Sequence, residues 1–157
     1  MKWLMILMLI SAIMLIAMSV SEQYRDKFDF YTNLKLFLTQ FKINIAFRQE
    51  KVLDFLNTIK CKKQFSLFVS DYKEYLNTGE IKLDNIKVLD EEDRVELENI
   101  IKSLGKHDVS TEIGQVEAIM SGIEAKLTKA ETDKIKLCPM IIKLSLLFAV
   151  GLAILLI

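Results

Sequence analysis

Two apolar segments, one at each end of the chain, constrain the fold most. Residues 3–20 carry no charge, and residues 140–157 carry a single one, Lys143. A helix of 18 residues spans about 27 Å, which is close to the ~30 Å hydrocarbon thickness of a bilayer. We therefore predict a transmembrane helix at residues 1–20, a helical domain at residues 21–138 and a second transmembrane helix at residues 139–157.

The first apolar segment has an alternative interpretation. Lys2, the apolar run and Ala17-Met18-Ser19 together resemble a signal peptide with a small-x-small cleavage site. The run is longer than the roughly 7–15 apolar residues of a signal peptide, and it continues into a helical pattern without a Gly or Pro break. We favour a retained anchor, and cleavage stays the alternative.

The charged residues lie almost entirely between the two apolar segments. The chain carries 21 bases and 21 acids, so its net charge of zero gives no indication of nucleic-acid binding. Basic residues stand near both membrane ends of the domain, which favours the cytoplasmic side for residues 21–138. These residues are Arg25, Lys27, Lys134 and Lys136.

The two cysteines give no disulfide or metal-binding pattern. Cys61 and Cys138 are far apart in the chain and form no CxxC motif. This usage fits a reducing compartment. Cys138 lies at the predicted membrane edge, where a small apolar role is the favoured interpretation and palmitoylation the alternative.

The pattern of the domain is helical throughout. One proline, five glycines and no sustained alternation of period two argue against a sheet. From Tyr24 to Ile45, apolar residues recur every three or four positions and predict one helix over residues 21–47 that continues from the first membrane segment. We expect three further aromatic residues to widen this apolar stripe: Phe30, Phe37 and Phe47.

Three shorter helices are predicted at residues 50–60, 64–77 and 91–104. Gly79 and Gly105 are expected to end the second and the third of them in the left-handed conformation. Asp90 is a candidate N-cap for the third helix, and the acidic run at residues 90–93 suits the positive end of its dipole. The functional alternative for this run is a metal site, but consecutive acids on a helix point in different directions. The inward-facing residues are expected to be Val52, Leu53, Phe55, Leu56, Ile59, Phe65, Phe68, Val69, Tyr72, Leu76, Leu97, Ile100, Ile101 and Leu104.

A last long helix is predicted from Asp108 or Ser110, as its cap, to Pro139, where a kink is expected. Its apolar seam has coiled-coil spacing, and Gly122 is expected to allow a close helix approach. This helix (residues 109–138) and the first (residues 21–47) have similar lengths and start at the same membrane face, so we predict that they lie antiparallel as a stalk. The fold class is all-α, a membrane-anchored antiparallel bundle. The predicted seam is Ile113, Val116, Met120, Ile123, Leu127 and Ala130.

No catalytic pattern emerges from the sequence. The chain has no GxSxG, HExxH or P-loop motif, and its single histidine, His107, stands in a turn beside Asp108. We therefore expect a protein that is not an enzyme and has no cofactor or metal. A surface turn residue is the favoured interpretation of His107, and contact with a partner is the alternative.

The stretch Ser103-Leu104-Gly105-Lys106-His107-Asp108, followed by a long helix into a final apolar segment, resembles stage III sporulation protein AB. That family is itself similar to the cytoplasmic helical domain of the type II secretion platform protein F. The match is firmest over residues 96–157. The N-terminal half departs from the family, because Arg48 replaces the glycine of a Tyr-Gly pair and Lys51 replaces a nearby proline. Ile113 stands about where the family tends to carry a glutamine.

The resemblance implies a non-enzymatic scaffold in a secretion-like channel between mother cell and forespore, with the domain in the mother-cell cytoplasm. Its implied partners are the lipid bilayer, other channel-complex membrane proteins and a secretion-type ATPase, and a homo-oligomer stays open. We expect the turn formed by Gly105, His107 and Asp108 to be the partner-docking site. The alternatives are a membrane-tethered adaptor or sensor unrelated to sporulation, and an enzyme whose site forms only with a partner.

Overall fold

The computed structural model describes residues 2–48, 50–59, 61 and 63–156. It contains five α-helices, with a π-helical segment that extends the first, and no strand among these residues. The all-α prediction is therefore confirmed. The helices are α1 (Lys2–Ile43, followed by the π-helical segment Asn44–Arg48), α2 (Val52–Thr58), α3 (Gln64–Thr78), α4 (Glu91–Ser103) and α5 (Val109–Leu156).

The predicted stalk forms, because α1 and α5 lie antiparallel in one constant register. The Cys138 thiol donates to the Ser21 carbonyl at 3.4 Å, Lys35 pairs with Glu124 at 2.7 Å, and Lys42 pairs with Glu117. Ser21 and Lys35 are 14 residues apart on α1, and their partners Cys138 and Glu124 are also 14 residues apart on α5. The next step is seven residues on both helices, which is one heptad of a coiled coil.

The three shorter helices cover one side of the stalk. Lys63, just before α3, pairs with Asp26 near the membrane end, and Lys106, after α4, donates to the Tyr75 hydroxyl near the other end. The chain thus runs away from the membrane in α1, returns through α2, rises in α3, returns through residues 79–89, rises in α4 and descends in α5. We call the end far from the apolar segments the apex.

Aromatic rings form the centre of the core. Phe37 contacts Phe41, Phe55 and Phe68 with ring centroids 5.9 Å apart in each case. The predicted seam of α5 packs against the same core through buried Val116, Ile123 and Ala130 and half-buried Met120 and Leu127. The sequence-predicted core residues are buried with few exceptions, and the structure describes one continuous core.

Several local predictions are wrong. Phe47 is 83% exposed and does not widen the core stripe, whereas Phe30 and Phe37 are buried. Leu53 and Leu76 are exposed as well. Gly122 is exposed, and a Cβ there would meet only a Glu96 carboxylate oxygen, at 4.0 Å, so this glycine serves no close helix approach.

The terminal parts of α1 and α5 are long and apolar enough to cross a membrane. Their most apolar 18-residue windows have mean hydropathies of 1.9 and 2.3, and only 11% of each window is buried within the protein. Helices of this composition need an apolar environment other than the protein's own core. The α5 helix continues through Pro139 to Leu156. The kink at Pro139 and the domain boundaries stay predictions.

Cys138 occupies a structural position near the membrane end of the domain. Its side chain is 5% exposed, and its thiol donates to the Ser21 carbonyl. Because acylation needs an accessible thiol, this burial favours the small apolar role over palmitoylation. Neither Cys61 nor Cys138 forms a disulfide.

Candidate functional site

The turn between α4 and α5 is built around the buried carboxylate of Glu112. One carboxylate oxygen accepts the backbone N–H of Gly105 at 2.6 Å, and the other accepts that of His107 at 3.2 Å. Glu112 itself is 1% exposed. Glu112 is not among the functional residues predicted from the sequence, although an acid four residues after an N-cap aspartate is a signal related to the capping box. Glu112 therefore fixes the backbone of the predicted docking turn.

Gly105 has the conformation that the sequence predicts. Its φ is +80°, in the left-handed region that favours glycine. A Cβ at this position would lie 3.2 Å from Cγ2 of Val52 at the start of α2. Gly105 thus serves two purposes, because it allows the reversal of the chain and leaves room for α2 at the apex.

Of the two predicted candidates, Asp108 and Ser110, Asp108 is the N-cap of α5. Its carboxylate accepts the Ser110 hydroxyl at 2.6 Å and the Thr111 backbone N–H at 3.3 Å. These hydrogen bonds from Ser110 and Thr111 hold the pKa of Asp108 well below its usual range. Asp108 is therefore an exposed and permanently charged anion at neutral pH.

Other exposed groups share the apex with this turn. His107 is exposed, and Lys106 donates to the Tyr75 hydroxyl at 3.4 Å. Phe47 lies in the π-helical segment that precedes α2, and α2 contacts the turn through Val52. Exposure of a phenyl ring costs free energy in water, and the Phe47 ring is 83% exposed.

A second polar cluster lies near the membrane end of the domain. Asp93, whose side chain is 12% exposed, bonds Lys126 at 2.6 Å and Lys27 at 3.2 Å. Burial alone would raise the pKa of Asp93, but hydrogen bonds that include those from Lys126 and Lys27 outweigh it and lower the pKa. The Tyr31 hydroxyl is buried beside this carboxylate without a well-aligned hydrogen bond, and burial together with Asp93 raises its pKa. The cluster joins α1, α4 and α5.

The acidic run at residues 90–93 belongs to this structural cluster. Asp90 stands at the N-cap position of α4 but makes no side-chain cap hydrogen bond. Its carboxylate pairs instead with Lys27 at 2.6 Å, and Glu91 pairs with Arg94 within α4. Asp90 and Asp93 thus share Lys27, whereas Glu91 pairs with Arg94. In the described part of the chain, no three His, Cys, Asp or Glu side chains converge as a metal site would require.

The apex turn therefore combines a fixed backbone with exposed polar side chains. Glu112 fixes its backbone and Asp108 carries its negative charge, while Phe47 exposes an aromatic ring elsewhere at the apex, in the π-helical segment. Gly105 is largely structural, whereas His107 and Asp108 present their side chains to solvent.

Comparison with known proteins assigns the chain to a family. Neither a curated protein nor a solved structure gives a significant match. The family model of stage III sporulation protein AB matches residues 2–157, which is nearly the whole chain and includes the divergent positions Arg48 and Lys51. This family is a sporulation family and not a known enzyme family. The chain belongs to the stage III sporulation protein AB family and is a sporulation-related protein.

Proposed function

We propose that this protein is a non-enzymatic membrane scaffold that holds a cytoplasmic docking site for a secretion-type ATPase at a fixed distance from the bilayer. The observation that carries the proposal is the position of the apex turn. Residues 109–138 of α5 separate this turn from the second apolar segment by about 45 Å of continuous helix. Anchors at both ends of the domain would keep this long axis upright.

The apex offers the features of a small protein-binding site. Interface residues that contribute most to affinity are aromatic or charged and lie on a preorganised backbone. Phe47 provides the aromatic ring, Asp108 the charge and Glu112 the fixed backbone. The family match favours a role in sporulation over an adaptor or sensor unrelated to it.

Co-purification with the secretion-type ATPase tests this proposal. Phe47→Ala, His107→Ala and Asp108→Ser change exposed side chains, and serine keeps the ability to cap α5. Val95→Ala is the matched control, because Val95 is an exposed apolar residue on α4 away from the apex. We expect Phe47→Ala and Asp108→Ser to keep the melting temperature and lower ATPase recovery roughly five-fold or more. The control should leave recovery unchanged.

A different result would overturn the docking proposal. If all three apex variants recover the ATPase as well as Val95→Ala does, the turn is structural only. If every variant including Val95→Ala loses the ATPase, recovery reports the state of the protein in detergent and not a local contact.

We also propose that the domain faces the cytoplasm of the mother cell. Cys61 is a poor reporter of this orientation, because it is half-buried and burial raises the pKa of its thiol. Asn99→Cys places a thiol at an exposed position of α4. A membrane-impermeant maleimide should label Asn99→Cys only after the cells are opened. Labelling in intact cells would reverse the proposed orientation.

A further inference from the structure

We propose that two copies of this protein pair in the membrane through the outer face of α5, in parallel and in register. The outer face is the side of α5 turned away from α1 and the core. Six exposed, uncharged residues of this face between residues 114 and 132 follow steps of four and three, the spacing of the a and d positions of a coiled coil, and exposed charged residues flank them. The six uncharged residues are Gly114, Ala118, Ser121, Ala125, Thr128 and Thr132.

The charges beside this face specify the partner. With Ala125 and Thr132 as a positions, Glu124 and Glu131 are g positions, while Lys129 and Lys136 are e positions. Parallel coiled coils pair each g residue with the e residue five positions later on the other helix. The pattern therefore predicts ion pairs from Glu124 to Lys129 and from Glu131 to Lys136 between two copies.

Three of these four side chains form no close ion pair within the described part of one copy, although Lys129 lies in a polar pocket beside Asp133. Glu131, Lys129 and Lys136 are exposed and form none of the ion pairs found among residues 2–48, 50–59, 61 and 63–156. By contrast, Glu124 pairs with Lys35, and Glu117, one heptad earlier, pairs with Lys42. The half of the outer face nearer the membrane thus keeps acidic and basic side chains available for another molecule.

The membrane supplies the direction and the concentration that such a pairing needs. Two copies inserted in one bilayer with the same topology have parallel α5 helices, which is the arrangement that the g-to-e spacing requires. Small residues let helix axes approach to about 8 Å but bury little apolar area, so the contact would be weak in solution. Confinement to a bilayer raises the effective concentration of a weak partner. A second copy therefore fits this face better than a soluble protein does.

Cysteine cross-linking of the full-length protein in native membranes tests the pairing. In a Cys61→Ser, Cys138→Ser background, Ser121→Cys and Ala125→Cys place thiols on the outer face, and Asn99→Cys places one on α4 as the control. Serine at position 138 keeps a donor for the Ser21 carbonyl. Mild oxidation should give dimers for the two outer-face variants and only a trace for Asn99→Cys. Equal cross-linking at all three positions would overturn the proposal.

Charge reversal separates a specific contact from random collision. In the Ser121→Cys protein, Glu131→Lys should lower the dimer fraction roughly two- to five-fold, because it sets like charges opposite each other. Adding Lys136→Glu should restore the fraction. An unchanged dimer fraction in Glu131→Lys, or no recovery in the double variant, would overturn the pairing. ATPase recovery is measured separately, so a monomer that still recovers the ATPase would overturn the pairing and leave the docking proposal intact.

Discussion

The Glu112 carboxylate accepts the Gly105 backbone N–H at 2.6 Å across the turn that joins α4 to α5. The same side chain accepts the His107 N–H, so one buried group satisfies two backbone donors outside any helix. A buried backbone N–H without an acceptor destabilises the fold, and the Glu112 side chain prevents this for the Gly105 and His107 N–H groups together. The shape of the apex depends on this contact.

We expect Glu112→Ala to destabilise the domain by about 1–3 kcal/mol, because it removes the acceptor of two partly buried N–H groups. Glu112→Gln should cost less, since its amide oxygen can still accept one of them. Thermal unfolding in detergent, followed by circular dichroism, measures both changes. Equal melting temperatures for Glu112→Ala and the native protein would show that water replaces the carboxylate at no cost.

Gly105 and Gly79 provide a matched pair for separating backbone strain from steric contact. Both have positive φ, +80° and +78°, but a Cβ at Gly79 meets nothing within 4 Å, whereas one at Gly105 meets Val52. Gly79→Ala should therefore cost only the conformational strain, about 1 kcal/mol. Gly105→Ala should cost more, and Val52→Ala should recover part of the difference. Equal losses in stability for the two alanine variants would mean that the Val52 side chain moves aside at no cost in free energy.

The sequence predicted the helices and the turn because these depend on local features. The glycines at 79 and 105, the cap at Asp108 and the apolar spacing each act within a few residues. The prediction that Phe47 joins the core stripe is wrong, although its spacing from Phe41 already places it on another side of the helix. It lies six residues after Phe41, about one and two-thirds turns of helix, and so on another side.

Two side-chain contacts, one between distant residues and one within a turn, explain further differences between prediction and structure. Asp90 stands at the cap position of α4, but Lys27, 63 residues earlier in the chain, takes its carboxylate. Glu112 folds back toward α4 rather than pointing along its own helix. Local spacing does not report the Lys27 contact, because it depends on how α1 and α4 lie against each other, whereas the Glu112 contact lies within seven residues and has a local signal in its spacing from Asp108.

Truncation of Phe41 should destabilise the domain far more than truncation of Phe47. Phe41 is fully buried, with ring centroids 5.9 Å from Phe37 and 5.7 Å from Phe55. Phe41→Ala removes these contacts and leaves a cavity, which typically costs about 3–5 kcal/mol. Phe47→Ala removes an exposed ring and should change stability by less than about 0.5 kcal/mol. Chemical denaturation of the two variants measures both losses in the free energy of unfolding. Similar losses would mean that Phe47 packs against the domain in solution.

The stability of the domain should depend on acid through Asp93. Its folded-state pKa is lowered from 3.8, so its ionised form stabilises the fold above the unfolded-state pKa. This contribution is lost as pH falls below about 4 and through the folded-state pKa, because protonation weakens the attraction to Lys126 and Lys27. Asp93→Asn should therefore be less stable than the native protein at pH 7.

Unfolding of both proteins at several pH values between 7 and 3 measures this effect. We expect the difference in stability between the native protein and Asp93→Asn to shrink as the pH falls below about 4. Glu91→Gln is the control, because Glu91 is exposed and its ion pair among the described residues is with Arg94, at 3.5 Å. It should behave as the native protein does at every pH. A difference between native and Asp93→Asn that stays constant from pH 7 to pH 3 would show that Asp93 stabilises the bundle by packing and hydrogen bonding rather than by its charge.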